Sequence, residues 1–255
     1  MQAWIDFGRG PLFRLAFSLM LLGLARIFFL TLTGLAEAYH ASSDRIVPWR
    51  QVARQTVGWL LPVRRFWRLR PVFGTLSLVF HVGLLAVPLF LAAHVLLWKR
   101  AVGFAWPGLP QNVANWLTLV VIASGLGLFA GRVFHRGARA LSRAQDFLWP
   151  LLLIVPFITG FICANTHAGA RLYQDAMFLH VYSADLILLL IPFTKIAHCV
   201  LAPLSQAVTA VAWKFPPGAG ARVDATLGYT DRPCWLEKSR LEAPEIHEEE
   251  EACNR

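Results

Sequence analysis

Cysteine is sparse in this sequence and never falls in a motif. Cys163, Cys199, Cys234 and Cys253 are scattered along the chain. No CxxC pair signals zinc or an iron–sulfur cluster, and no CxxCH would attach a haem covalently. All four read as free thiols. There is no glycine-rich loop to cradle a phosphate and no internal repeat. Charged residues make up only 15% of the 255 positions, which is low for a soluble domain. The first apolar stretch lacks a small-residue cleavage site and runs too long for a cleavable signal peptide.

What is present is apolar. Hydrophobic residues are 56% of the chain, the mean hydropathy is +0.52, and long apolar runs alternate with short arginine-rich segments. A membrane-spanning helix needs about 20 mostly apolar residues. Five stretches qualify: Pro11–Leu35, Val72–Trp98, Val113–Arg132, Asp146–Ala164 and Ala176–Pro203. The expected fold is all-α, an integral membrane bundle of five transmembrane helices.

The net charge is +9 and the pI about 10.0. The placement of the charges speaks against nucleic acid. Arg45, Arg50, Arg54, Arg64, Arg65, Arg68 and Arg70 lie between the first two spans. Arg132, Arg136, Arg139 and Arg143 lie between the third and fourth. Lys214, Arg222, Arg232, Lys238, Arg240 and Arg255 follow the fifth. That is 17 on one side against Arg9, Lys99, Arg100 and Arg171, four, on the other. The positive-inside rule then puts the amino terminus outside and the carboxyl terminus in the cytoplasm. The expected location is a prokaryotic cytoplasmic (inner) membrane, crossed several times and surrounded by lipid.

Two segments outside the spans stand out. Trp49 to Arg70 mixes arginine with Trp49, Trp59, Leu60, Leu61, Phe66 and Trp67. That suits a helix lying in the interface against anionic headgroups; a docking surface for a cytoplasmic partner is the alternative. Lys214–Arg255 is rich in proline and glycine, then acidic at Glu245 and Glu248 to Glu251. Alone it should not fold well. The domain reading is therefore a membrane domain over 1–204 and a cytoplasmic tail over 205–255 that docks a partner.

Four of the eight histidines fall inside expected spans: His81 and His94 in the second, His180 and His198 in the fifth. Ionisable groups at membrane depth are functional by default, and neutral imidazole is a common axial ligand of haem iron. Two histidines on each of two antiparallel helices suit two bis-histidine haems stacked across the membrane. Helix direction pairs His94 with His180 on the outer side and His81 with His198 on the inner side. The separations along the two helices are about 20 Å and about 27 Å, a mismatch that calls for tilt. His180 and His198 are 18 residues apart, five full turns, and share a face. His81 and His94 are 13 apart, about 140° out of phase on an ideal helix. Pro88 between them should kink the helix. The plain alternative is that some of these histidines only hydrogen-bond between helices. His40, His135, His167 and His247 read as solvated surface residues.

These residues resemble a known family. The run Phe178-Leu-His-Val-Tyr-Ser-Ala-Asp-Leu-Ile-Leu-Leu-Leu-Ile-Pro-Phe-Thr-Lys-Ile-Ala-His198 is similar to the last helix of the respiratory nitrate reductase gamma subunit. It shares two histidines 18 apart and the Pro-Phe-Thr-Lys run before the second. Phe80-His-Val-Gly-Leu-Leu-Ala resembles the start of that family's second helix. The histidines of the second helix are spaced more widely here. The wider superfamily includes membrane cytochromes of sulfate reducers and the membrane subunit of heterodisulfide reductases. The resemblance covers roughly Pro11 to Pro203. It implies two b haems with His81, His94, His180 and His198 as axial ligands. It also implies exchange of electrons with a quinone (menaquinone or ubiquinone) and with a cytoplasmic iron–sulfur subunit of a larger complex.

Other polar residues find places in that picture. Arg26 in the first span and Lys195, one turn before His198, are candidates for haem propionates, with snorkelling to the interface as the alternative. Lys99 and Arg100, just past His94, suit outer propionates or a quinone carbonyl, or ordinary helix-end anchoring. Asp185, a little over one turn below His180, is placed to accept a quinol proton, or to pair with a buried arginine or hydroxyl. Three rival readings remain. One is a cytochrome b of the hydrogenase or formate dehydrogenase type with an external partner. Another is a haem-free transporter, which predicts inverted repeats or broken helices. The last is a membrane anchor without cofactor.

Overall fold

Inside lipid every backbone N–H and C=O has to be satisfied by the segment itself, and a helix does that without a neighbour. In the computed structural model every regular element of the described residues is helical. These residues are 1–42, 46–60, 70–165, 169–212, 214 and 216–227. The β-geometry is limited to an isolated bridge between Leu91 and Leu109. The elements are α1 (Gln2–Phe7), a π-helical turn (Gly8–Leu12), α2 (Phe13–Ala41), α3 (Trp49–Leu60), α4 (Pro71–Phe90) and α5 (Ala92–Val102). Then come α6 (Gln111–Phe134), α7 (Arg136–Leu141), α8 (Ala144–Asn165), α9 (Ala170–Leu190), α10 (His198–Ala212) and α11 (Ala219–Leu227).

Six stretches are long and apolar enough to cross a membrane: Gln2–Ala41, Pro71–Phe90, Gln111–Phe134, Ala144–Asn165, Ala170–Phe193 and Lys195–Ala212. The protein is a multi-pass membrane protein. Large apolar side chains such as Leu22, Phe29, Val82, Trp116 and Leu179 lie exposed on these helices, as lipid-facing positions must.

The chain divides into two units. One comprises Met1–Phe29 and Thr56–Pro203; the other joins Leu30–Gln55 to the described residues from Leu204 on. The second unit thus takes in the end of α2 and most of α3. In that unit α3 carries Trp49, Arg50 and Arg54, with Val52 buried. Part of the expected tail is helical, over Ala219–Leu227. The rest of the tail lies outside the described residues. So do Leu61 to Arg68, Arg45, His167, His247, Cys234 and Cys253.

The first unit has a core of Phe80, Val87, Val121, Leu128, Ile154 and Phe157, contributed by α4, α6 and α8. Packing follows chain order: α4 lies on α6, α6 on α8, α8 on α9. Among the described residues, α4 and α5 make no extended packing contact with α9 or α10. The amino-terminal helix bridges the two sides. Phe13 and Phe17 pack on Trp98 of α5, and the Tyr182 hydroxyl of α9 donates to the Trp4 carbonyl at 3.1 Å.

Two expected spans are not single helices. The stretch Val72–Trp98 is α4 and α5, separated by Leu91 in extended conformation (φ −61°, ψ 130°). The stretch Ala176–Pro203 ends as α9 at Leu190 and passes through 3-10 turns at Ile191–Phe193 and Lys195–Ala197. Thr194 between them is extended (φ −131°, ψ 178°). Each break follows a proline, Pro88 or Pro192, which has no N–H to continue the ladder. Proline alone does not decide it, because Pro150 and Pro156 lie within an unbroken α8. The first break holds because its freed carbonyls find other donors. Trp98 Nε1 donates to Pro88 O at 3.2 Å, Trp106 Nε1 to Leu89 O at 2.8 Å, and the Leu109 N–H to Phe90 O at 2.7 Å. At the second break the Thr194 hydroxyl donates to Leu190 O at 2.9 Å.

Candidate functional site

The four histidines expected at membrane depth meet in two pairs. The rings of His94 and His180 stand with centroids 5.9 Å apart and planes 13° from parallel. Those of His81 and His198 stand 6.1 Å apart and nearly perpendicular, at 81°. The pairing expected from helix direction is the one found. Neither expectation from helical phase applies. The 140° offset between His81 and His94 does not apply, because the break at Leu91 resets the phase before His94. The shared face of His180 and His198 does not apply either, because Thr194 interrupts the turns between them.

Each histidine points Nδ1 at a backbone carbonyl. His81 Nδ1 lies 2.6 Å from Ser77 O and His94 Nδ1 3.3 Å from Val87 O. His180 Nδ1 lies 2.7 Å from Pro156 O and His198 Nδ1 2.8 Å from Lys195 O. A carbonyl only accepts, so each ring donates from Nδ1 and is the Nδ1–H tautomer when neutral. That leaves the lone pair on Nε2. A carbonyl that holds the far ring nitrogen in this way orients a metal-ligating imidazole.

The sequence places these carbonyls differently. Ser77 and Lys195 are four and three residues before their histidines, so the bonds of the His81–His198 pair are made within one turn. Pro156 belongs to α8, a neighbouring helix. There Gly160, one turn after Pro156, leaves room for the ring: a Cβ at Gly160 would lie 2.9 Å from His180 Cε1 and 3.1 Å from its Nδ1. The Thr159 hydroxyl is a further neighbour of His180 Nδ1, at 3.4 Å.

The remaining candidates are not gathered at one place. The Lys195 ammonium is bound to both Asp146 carboxylate oxygens, at 2.7 and 2.8 Å, so a propionate there would compete with that carboxylate. Arg26 lies exposed on α2, and Lys99 lies exposed near the end of α5. Asp185 is buried in α9, 5% exposed, and its Oδ2 has no hydrogen-bond partner. An unpaired carboxylate oxygen in an apolar span is costly. Among the described residues no group of three or more His, Cys, Asp or Glu side chains could hold a metal ion.

A curated protein of Nitratidesulfovibrio vulgaris (strain Hildenborough) is 32% identical over 165 residues, 64% of this chain and 72% of that relative. The chain belongs to that relative's family. The relative is called only "Protein", so membership of its family carries ancestry and no activity. No protein-family model matches the chain, and no solved structure matches it.

Proposed function

We propose that the chain is a membrane cytochrome b subunit that moves electrons between the quinone pool and a cytoplasmic iron–sulfur oxidoreductase through two b haems. The observation that carries this reading is the doubled histidine arrangement. Two imidazoles bound at about 2 Å to one metal ion stand with ring centres about 6 Å apart; both pairs here stand at that spacing. All four histidines also turn Nδ1 to a carbonyl and keep Nε2 free. Among the described residues the helices that carry the two members of each pair do not pack extensively on one another. Haem brings four nitrogens of its own, so two side chains complete the coordination of its iron.

When bound, haem iron would supply one-electron transfer between its ferric and ferrous states. The chain's own residues orient and protect it. The carbonyls of Ser77, Val87, Pro156 and Lys195 fix the four rings and raise their basicity. The Asp185 carboxyl is a buried group able to hold a proton during quinol oxidation or quinone reduction, and Lys99 is available to orient a quinone carbonyl.

The same reading takes five crossings, with the amino terminus outside. Lys195–Ala212 has the lowest mean hydropathy of the six stretches, 1.2 against 1.8 to 2.2, and reads as the continuation of the fifth span. A sixth crossing would move the tail's basic residues across, leaving 11 against 10 and no positive side. A second reading, a haem-free transporter, is favoured by the broken helices at Leu91 and Thr194.

A dithionite-reduced minus oxidised visible spectrum of the purified protein, with a pyridine haemochrome count, separates the two. Two b haems per chain are expected. One haem would mean that a single pair ligates. No haem in a folded sample would reject the cytochrome reading and favour the transporter or the anchor.

A further inference from the structure

A cavity of about 250 Å³ is lined by Asp6, Arg9, Gly10, Arg14, Leu97, Arg100 and Ala101. Three guanidiniums and one carboxylate thus share one small space. None of the three arginines has an ion-pair partner among the described residues. Arg9 and Arg14 are five residues apart, which on an α-helix would put them on different faces. The π-helical turn Gly8–Leu12, which contains Pro11, bonds residues five apart and brings both arginines to the same side. A local distortion that gathers unpaired cations calls for an anion.

Both walls of the cavity come from segments that lead to the His94–His180 pair. Leu97 and Ala101 are three and seven residues after His94, on the same face of α5, about one and two turns further along. On the other wall Arg9 follows Gly8, where a Cβ would collide with Val181, the residue next to His180.

We infer that this cavity is the propionate site of the haem held by His94 and His180, with Arg9, Arg14 and Arg100 binding its two carboxylates. The inference rests on the cytochrome reading above and adds residues to it. The charges balance: three arginines less Asp6 leave two positive charges for two propionates. Carboxylates near a bilayer core need paired cations, and guanidinium meets carboxylate in a bidentate fork that an ammonium does not offer. The outer propionate site therefore draws on the amino-terminal segment, which contributes no histidine.

The test is a redox titration of both haems in the full-length protein and in R9Q, R14Q, R100Q and the triple variant. Removing positive charge beside the propionates stabilises the ferric form. The potential of one haem should fall, most in the triple variant, while the other stays in place. R9K and R100K should restore part of the shift, and the unmoved haem shows that the variants fold. Two haems whose potentials both stay put in the triple variant overturn this inference alone. If the triple variant also loses co-purifying anionic phospholipid, the cavity is a lipid headgroup site instead. Wild-type protein without haem overturns the cytochrome reading, and this inference with it.

Discussion

The two histidine pairs solve the same geometric problem in opposite ways. His81 and His198 are exposed, and each ring is fixed by a carbonyl of its own chain segment, Ser77 or Lys195. His94 and His180 are partly buried. They are fixed by a carbonyl across a helix break, Val87, and by one on a neighbouring helix, Pro156. The first pair is locally built and nearly perpendicular; the second is built by tertiary packing and nearly parallel. A pair held by its own turn tolerates change elsewhere, whereas a pair held by neighbours depends on α8 and on the break at Leu91.

Removing a ligand is the strongest way to break the comparison. H180A and H198A should each halve the haem count from two per chain to one, read by pyridine haemochrome. Ring orientation sharpens the test: parallel imidazoles give a rhombic low-spin ferric EPR signal and perpendicular ones a strongly anisotropic signal. H180A should remove the first and H198A the second. Loss of both signals in either variant would mean that the pairs do not act separately.

G160A comes next. The added methyl meets the His180 ring, and overpacking of this kind costs about 1–3 kcal/mol. The His94–His180 haem should be lost at lower temperature in a thermal melt followed by Soret absorbance, with the other haem unmoved. W106F follows. It removes the donor to Leu89 O at the break, a bond worth about 1 kcal/mol, and should lower the melting temperature of the same haem by a few degrees. The smallest effect is expected from D146N. It weakens a partly exposed ion pair with Lys195 of about 0–1 kcal/mol, at the turn that carries His198. Only the potential or melting of the His81–His198 haem should respond, and a larger effect on the other haem would contradict the local character assigned to this pair.

Much of the fold was legible because membrane helices announce themselves through length and apolar composition. Pro11–Leu35, Val113–Arg132 and Asp146–Ala164 all fall inside observed helices. The break at Leu91 was half visible: Pro88 marks a lost hydrogen bond. Whether a proline kinks or breaks a helix depends on donors that the loop brings back, here Trp106 and the Leu109 N–H, and those are distant in sequence. The break at Thr194 was hidden by a spacing of 18 that looked like five regular turns. Of the cationic cavity only Arg100 was legible as a propionate candidate: Arg9 counts in the sequence as one of the outside charges, and Arg14 falls inside the first apolar stretch. Pro11 between them, five residues spanning a proline, was the available signal for a π turn.

Residue chemistry alone determined that the chain is helical, that it belongs in a membrane, and that four histidines fall in or beside its apolar stretches. These follow from transfer free energies, which each side chain carries wherever it is placed. Tertiary structure decided the angle between the rings of each pair, which carbonyl holds each Nδ1, and which cations are left unpaired. Those depend on hydrogen-bond partners supplied by other segments, so a strand of sequence read in order does not contain them.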